Sequence, residues 1–344
     1  LAAPSPLHEV LKWDIPIISF LDLYGDFVRP VPRRGIGLST SNFEELASAL
    51  RVLDALRRLR ETTILYCREV GGVDEGYIAR AKAKLGITIR RMGYWELVQA
   101  YKATDERVAW ELAREWVERA ERVVEPSFDE IVKSARMYLG LRALMERERA
   151  QAATIDCLRM VYGGLLPAYP CLAYSRLNDE GYVGTCEADL ASAFTQLILG
   201  YIGGVPGFIS DPVIDTATNT VIHCHCMAPT RMGGMDAEPE PYIIRSHAED
   251  NKGASLQVKM RAGQVVTVAK LDGLRRMLIS TGEIIGNVDE ERGCRTKVMT
   301  KVKDARKLLE GYSGETHRVL FYGDWVQQIK WLARILDLEV IEET

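Results

Sequence analysis

NDEGYVGTCEADLASAFTQLILGYIGGVPGFISDPVIDTATNTVIHCHCMAP, residues 178–229, is the stretch around which the rest of the chain is organised. It opens on a glycine-containing turn, and its pattern predicts a helix with Glu187 and Asp189 in the first turn. Gly203-Gly204 and Pro206 end that helix, and a short apolar segment follows as far as Asp211. A second segment, Thr220–Ile222, leads to His223 and His225. Residues two apart on a strand share a face, so the two imidazoles are expected to point the same way. Carboxylates and imidazoles at the ends of regular elements are what a divalent-metal site requires, because rigid elements hold several side chains around one point. Each residue also has a plainer reading. Acids are favoured in a helix's first turn by its dipole, Asp211 before Pro212 reads equally as a turn residue, and a strand histidine can be satisfied by an ordinary hydrogen bond.

Upstream, strand and helix patterns alternate. Ile15–Leu21, Thr62–Cys67, Ile87–Met92 and Ala153–Leu158 read as strands. Ser41 with Glu44 has the form of a capping box ahead of Leu46, Leu50, Leu53 and Leu56 at helical spacing, and Ser127 with Glu130 opens a long helix after Pro126. Further helices are expected at 75–85, 94–102 and 105–121, with Trp95 toward the core and Glu96 on the surface. This alternation argues for a doubly wound, largely parallel α/β domain. Gly71-Gly72 lies between a strand and a helix, but the other glycines of a dinucleotide loop are absent, so it reads as an ordinary turn. The arginines of 51–60 read as the solvated face of an amphipathic helix.

Downstream the texture changes. Tyr242–His247, Ser255–Met260, Gln264–Lys270, Arg276–Ser280 and Arg295–Val302 are short β-branched segments separated by turn residues, which predicts a mostly antiparallel sheet or barrel. Arg245, His247 and Glu249 alternate onto one strand face, most simply a solvent-facing one. An amphipathic helix at Asp324–Leu336 and a strand at Glu339–Ile341 close the chain.

A length of 344 residues is more than one core usually organises, so two domains are expected. With 44 basic and 48 acidic side chains the formal charge is −4, which gives no electrostatic basis for binding nucleic acid or an anionic membrane. No apolar run reaches spanning length. Seven scattered cysteines read as reduced thiols of a cytoplasmic protein. Cys224 and Cys226 flank His225 without a second thiol pair near them in sequence, so they read as small buried thiols rather than soft-metal ligands.

Several motifs occur in an order that resembles the L-fucose isomerase and L-arabinose isomerase group. They are Gly184-Thr185-Cys186-Glu187-Ala188-Asp189, Pro206-Gly207-Phe208 with Asp211, and His225-Cys226-Met227-Ala228-Pro229. Arg245-Ser246-His247-Ala248-Glu249, Gly263-Gln264-Val265-Val266-Thr267, Gly314-Glu315-Thr316-His317 and Tyr322-Gly323-Asp324 continue the series through the last half of the chain. The resemblance implies that 1–36 is the end of a truncated N-terminal α/β domain, 37–203 a central α/β domain and 204–344 a β-rich domain with a closing helix. It implies a metal held by Glu187, Asp211 and His317, with His225 where arabinose isomerases carry an earlier histidine. Relatives often read His-His where this chain has Thr316-His317. His223 has no counterpart, and His247 is expected to line the pocket.

The implied ion is Mn²⁺, or Mg²⁺ or Co²⁺, and the implied reaction is aldose–ketose isomerisation of a monosaccharide through an enediol. Glu187 and Asp211 would serve as both ligands and acid–base groups, with no organic cofactor. The implied assembly is a homo-oligomer, trimeric or hexameric. A sugar or sugar-acid lyase or epimerase using the same apparatus, and a non-catalytic sugar-binding relative, stay open at this point.

Overall fold

The computed structural model describes residues 15–21 and 38–344. Most of the expected N-terminal remnant, 1–36, and all of the connector at 29–37 therefore lie outside the described residues. Within the remnant, strand β1 (Ile18–Phe20) pairs in parallel with β2 (Leu38–Thr40).

The first helix, α1 (Phe43–Arg60), starts one residue later than the capping box at Ser41 predicts. Asn42 is the cap, accepting from Glu44 N at 2.9 Å, while its own amide is held by Thr40 Oγ1. An Asn amide oxygen reaches the backbone two residues on as well as a serine hydroxyl does. The chain then alternates through β3 (Thr63–Cys67), α2 (Glu75–Leu85), β4 (Thr88–Arg91), α3 (Tyr94–Lys102) and α4 (Glu106–Arg119). It continues with β5 (Arg122–Val123), α5 (Phe128–Arg147), β6 (Ala152–Ile155), α6 (Cys157–Tyr162), α7 (Cys171–Asp179), β7 (Val183–Thr185) and α8 (Leu190–Gly203). Gly71-Gly72 is the ordinary β3–α2 turn. The strand expected at Ala153–Leu158 ends at Ile155, and Cys157 already begins α6.

Four of these strands form an all-parallel sheet in the order β4-β3-β6-β7. Strand alternation divides its side chains between two cores. Ile64, Tyr66 and Ala152 join Ala49 and Leu59 of α1 and Phe194 of α8, whereas Leu65, Cys67, Ala153 and Ile155 join Leu141 of α5 and Leu177 of α7. Helices on both faces make this the expected doubly wound layer. Trp95 and Glu96 exchange their expected places. Trp95 is 54% exposed, while Glu96 is turned inward to cap α3 through Gly93 N and to bind Arg90 through both oxygens. A carboxylate that satisfies a helix terminus and a guanidinium together outweighs the gain from burying one indole at a helix start.

The second half runs β8 (Phe208–Asp215), β9 (Thr220–His225), β10 (Tyr242–Arg245), β11 (Ser255–Val258), β12 (Val265–Asp272) and β13 (Arg276–Asn287). It ends with β14 (Thr296–Val302), α9 (Ala305–Gly311), β15 (Arg318–Tyr322), α10 (Val326–Ile335) and β16 (Glu339–Glu342). The order β12-β15-β8-β9-β14-β13 closes through an antiparallel β12–β13 pairing, giving a six-stranded barrel without free edges. β16 adds to β13 in parallel. The domain is thus mostly, not wholly, antiparallel, and α9 was not evident from the residues. A separate sheet, β11-β10-β5, draws its last strand from the first half. Glu121 N donates to Tyr242 O and Val124 N to Ile244 O, so the two halves share backbone hydrogen bonds.

Candidate active site

Glu187 does not lie in the first turn of α8. It stands in the turn between β7 and α8, where Glu187 and Ala188 are both left-handed, with φ of 63° and 54°. Two such non-glycine residues in succession cost roughly 1–2 kcal/mol each and persist only where neighbours hold them. Here Ala188 N donates to Ile155 O at 2.9 Å and Asp189 N to Cys186 O at 3.2 Å. Asp189 is the cap of α8, accepting from Ser192 N at 2.9 Å.

Asp211 is no turn residue. It sits within β8, opposite Cys224, and the strand runs on through Pro212. Pro212 is tolerated because β8 pairs with β15 only over Phe208–Ser210 and has one neighbour beyond it. His225 ends β9 and His317 immediately precedes β15. The turn after β7 thus meets three barrel positions at one point.

Glu187 Oε1 is 3.7 Å from His225 Nε2, Glu187 Oε2 is 3.6 Å from His317 Nε2, and Asp211 Oδ1 is 3.6 Å from the same nitrogen. Donor atoms of Glu187, His225 and His317 all lie within 4.8 Å of one another. These separations are too long for hydrogen bonds. They suit ligands of one ion, since arms of about 2.1 Å at tetrahedral to octahedral angles place donor atoms roughly 3.0–3.5 Å apart.

The next layer fixes the imidazole. His317 Nδ1 lies 3.0 Å from Asp189 Oδ2, so its proton belongs there and the Nε2 lone pair faces Glu187 and Asp211. Lys270, fully buried, donates to Asp189 Oδ2 at 2.6 Å and to Ser192 Oγ at 2.9 Å. Burial pushes the Asp189 carboxyl up, but the hydrogen bond from His317 and the Lys270 charge hold it far below the usual carboxylate range. Burial opposes a charge on His317, yet the bond to Asp189 and the charges of Glu187 and Asp211 raise its pKa above the ordinary histidine value. Glu187 is lowered, first by His225, with burial opposing. The His225 Nδ1 atom is buried and has no hydrogen-bond partner among the described residues.

Two histidines lie elsewhere. His223 is held inside the barrel between Ser210 Oγ and Thr300 Oγ1, and burial alone pushes its pKa down to about 3, so it is a neutral structural group. Sharing a strand face with His225 does not carry it to the cluster. His247 stacks on Tyr169 with ring centroids 4.8 Å apart, beside Asp250. The β10 face is not solvent-facing either, because Arg245 is buried against Glu125, Gln257 and Glu291.

The cluster opens into a cavity of about 320 Å³ whose walls include Tyr66, Arg68, Tyr77, Glu187, Asp211 and His317. His247 is not among the lining residues. A larger cavity of about 450 Å³, walled by Trp116, Asp179 and Tyr242, contains none of the carboxylate–imidazole cluster. Asp189, Lys270 and Arg68 were not legible as site residues. The one available signal was a lysine within the apolar run Val265–Leu271, a position that an ordinary surface lysine does not occupy.

Residues 66–203 match the L-arabinose isomerase central domain. A sulfoquinovose isomerase of Priestia aryabhattai is 27% identical over 84% of this chain and 67% of its own length. One from Alkalicoccus urumqiensis is 22% identical over 87% of the chain and 69% of its own length. An L-arabinose isomerase of Thermotoga neapolitana is 33% identical over 48% of the chain and 34% of its own length. With the α/β layer and barrel meeting at a carboxylate–imidazole cluster, the protein is an enzyme of the aldose–ketose isomerase class. Its central part, 66–203, is similar to the L-arabinose isomerase central domain, and the chain at large is similar to sugar isomerases.

Proposed function

We propose that this chain interconverts an open-chain aldose and its ketose through an enediol, with a divalent ion held by Glu187, His225, His317 and Asp211. The convergence of Glu187, His225 and His317, with Asp211 3.6 Å from His317 Nε2 and a monosaccharide-sized cavity beside them, carries the reading. Oxygen and imidazole donors without thiolate suit Mn²⁺, or Mg²⁺ or Co²⁺. When bound, such an ion supplies positive charge that polarises a carbonyl and favours oxyanion character beside it.

The chain's own groups move the protons. Glu187 and Asp211 flank His317 Nε2, each 3.6 Å from it, and each is about one-third exposed, so both face the substrate space. One carboxylate takes the proton from C2 of the aldose, and the electron pair left behind forms the C1–C2 double bond while O1 gains a proton. Return of a proton to C1, with loss of the O2 proton, yields the ketose. Asp189 and Lys270 keep His317 oriented throughout. Relatives named sulfoquinovose isomerase and L-arabinose isomerase support a monosaccharide substrate. A cytoplasmic, trimeric or hexameric enzyme is the accompanying proposal, with light scattering as its check.

The test is Mn²⁺-loaded protein incubated in D₂O with a panel of aldoses and ketoses, followed by NMR. The expected result is ketose from aldose with deuterium at the carbon that receives the proton. Absence of both conversion and exchange across the panel would overturn the reading.

A further inference from the structure

The turn between α9 and β15 brings Glu315 to the wall of the Glu187–Asp211–His317 cavity, two residues before His317. Gly314 is left-handed there, with φ of 79°, and a Cβ on it would stand 2.9 Å from Asp272 Oδ1. Arg318, 2% exposed, holds the turn from within. Its Nη1 donates to Glu315 O at 3.0 Å and its Nη2 to Ser313 O at 2.9 Å, while Glu343 takes the guanidinium through both oxygens. The backbone under Glu315 is therefore fixed, yet its side chain is two-thirds exposed. Lys270 Nζ, already donating to Asp189 and Ser192, stands 3.4 Å from Glu315 Oε2. Glu315 Oε1 has no hydrogen-bond partner among the described residues.

The α/β half sends Tyr77 to the same cavity. It stands in the first turn of α2, its amide donating to the capping Asp74 Oδ1 at 2.6 Å, and its ring packs on the core shared with α1 and α8. Its hydroxyl makes no hydrogen bond among the described residues. Burial, with the charges of Glu315 and Asp189 adding to it, raises the Tyr77 pKa above the ordinary tyrosine value, so the phenol keeps its proton at neutral pH. Tyr66 and Arg68 on the same wall are engaged, Tyr66 Oη by Val73 N and Arg68 by Val70 O and Asp156. A phenol that can donate and a carboxylate that can only accept thus line one cavity with no hydrogen bond between them. A sugar hydroxyl both accepts and donates, so one hydroxyl satisfies the two groups together.

We propose that Tyr77 and Glu315 are specificity residues that hold one sugar hydroxyl beyond C2, its oxygen accepting from Tyr77 and its proton going to Glu315. This rests on the isomerase reading above, in which Glu187 and Asp211 serve the C1–C2 end. The C3 and C4 hydroxyls present the same chemistry to the pair, and the experiment separates them.

Wild-type, Tyr77→Phe and Glu315→Ala proteins, loaded with Mn²⁺, are assayed on D-glucose, its 6-sulfonated form and L-arabinose, and on the 3-deoxy and 4-deoxy forms of each. Calorimetry with the corresponding alditols and deoxyalditols gives a readout independent of turnover. A site built around a hydroxyl rejects the analogue that lacks it, because its own polar groups are then left unpaired. The expected result is a wild-type preference, in kcat/KM and in alditol affinity, for a parent sugar over one of its deoxy forms. Tyr77→Phe should shrink that preference about 2–10-fold, the worth of a neutral hydrogen bond, and Glu315→Ala about 10–100-fold, the worth of one to a charged group. Mn²⁺ binding and the rate on that deoxy sugar should be unchanged in Tyr77→Phe. No wild-type preference, a preference undiminished in either variant, or an equal loss on parent and deoxy sugars would overturn the proposal. If no sugar is converted, the isomerase reading fails, and calorimetry alone decides. An alditol preference diminished in both variants then upholds the pair, and an undiminished preference or no alditol binding overturns it.

Discussion

Lys270 Nζ lies 2.6 Å from Asp189 Oδ2, the oxygen that also receives the Nδ1 proton of His317. One carboxylate oxygen thus joins a buried cation to a candidate metal ligand. Removing the lysine should loosen the imidazole without touching the ion. Lys270→Met is expected to weaken Mn²⁺ binding about 10–100-fold, the usual effect of losing an outer hydrogen-bond partner. It should also lower stability by roughly 3–5 kcal/mol, because the buried Asp189 keeps its hydrogen bonds from Ser192 and His317 but loses the Lys270 charge. Titration of Mn²⁺ by electron paramagnetic resonance and thermal melting of the same samples check both outcomes.

Glu187 and Asp211 can be tested as proton carriers apart from their part in holding an ion. Glu187→Gln and Asp211→Asn keep an oxygen donor but lose the base. Turnover is expected to fall by on the order of 10²–10⁴ even at saturating Mn²⁺. His317→Ala should instead be partly rescued by excess Mn²⁺. Turnover measured against metal concentration separates the two behaviours, and amide variants that regain full rate would leave the carboxylates as ligands only.

Glu96 gives a pH-dependent stability term away from the site. Arg90, first, with Gly93 N and Arg147, holds its pKa below the ordinary value, against some desolvation. The unfolded chain, with a Glu pKa of about 4.3, binds the proton more readily. The stabilisation is therefore complete above about pH 4.3 and is lost as pH falls through the lower folded value. Glu96→Gln should cost about 1 kcal/mol at pH 7 after allowance for solvent screening. Urea melts of both proteins should converge as pH falls below the lowered folded value of Glu96.

Gly140 marks a close approach of α5 to α3. A Cβ there would stand 2.8 Å from Tyr101 N and 3.0 Å from Ala100 C, both backbone atoms that cannot swing aside. Gly140→Ala, favourable in an isolated helix, is expected to destabilise the fold by roughly 1–3 kcal/mol. Chemical denaturation showing a more stable variant would contradict this packing.

Much of the α/β layer was legible because its signals are local. Ser127 caps α5 where the capping box points, and α2 occupies the expected 75–85. The barrel segments were legible as strands but not as a closed ring, because closure depends on pairings such as Val266 with Gly282 that no local pattern records. Misplaced residues share one cause. Trp95, Glu96 and Arg245 were assigned from residue type, and tertiary partners decided otherwise. Glu187, Asp211, His225 and His317 were singled out through the family resemblance, and the fold brings them near one another. Lys270 and Asp189 acquire meaning only when β12 is laid against the start of α8.

The small sheet that joins β5 to β10 bears on how the molecule comes to be folded. Arg122 and Val123 are made early, yet the strand that pairs with them, Tyr242–Arg245, follows the whole α/β layer and the first barrel hairpin. Contacts so far apart in the chain are slow to form because a long loop must close first. The edge beside Val123 therefore waits for synthesis of the second half, and a polypeptide stopped at Gly204 carries that edge unsatisfied. Division of the chain at the glycine pair severs a cooperative unit, and neither piece is expected to reach its final shape without the other.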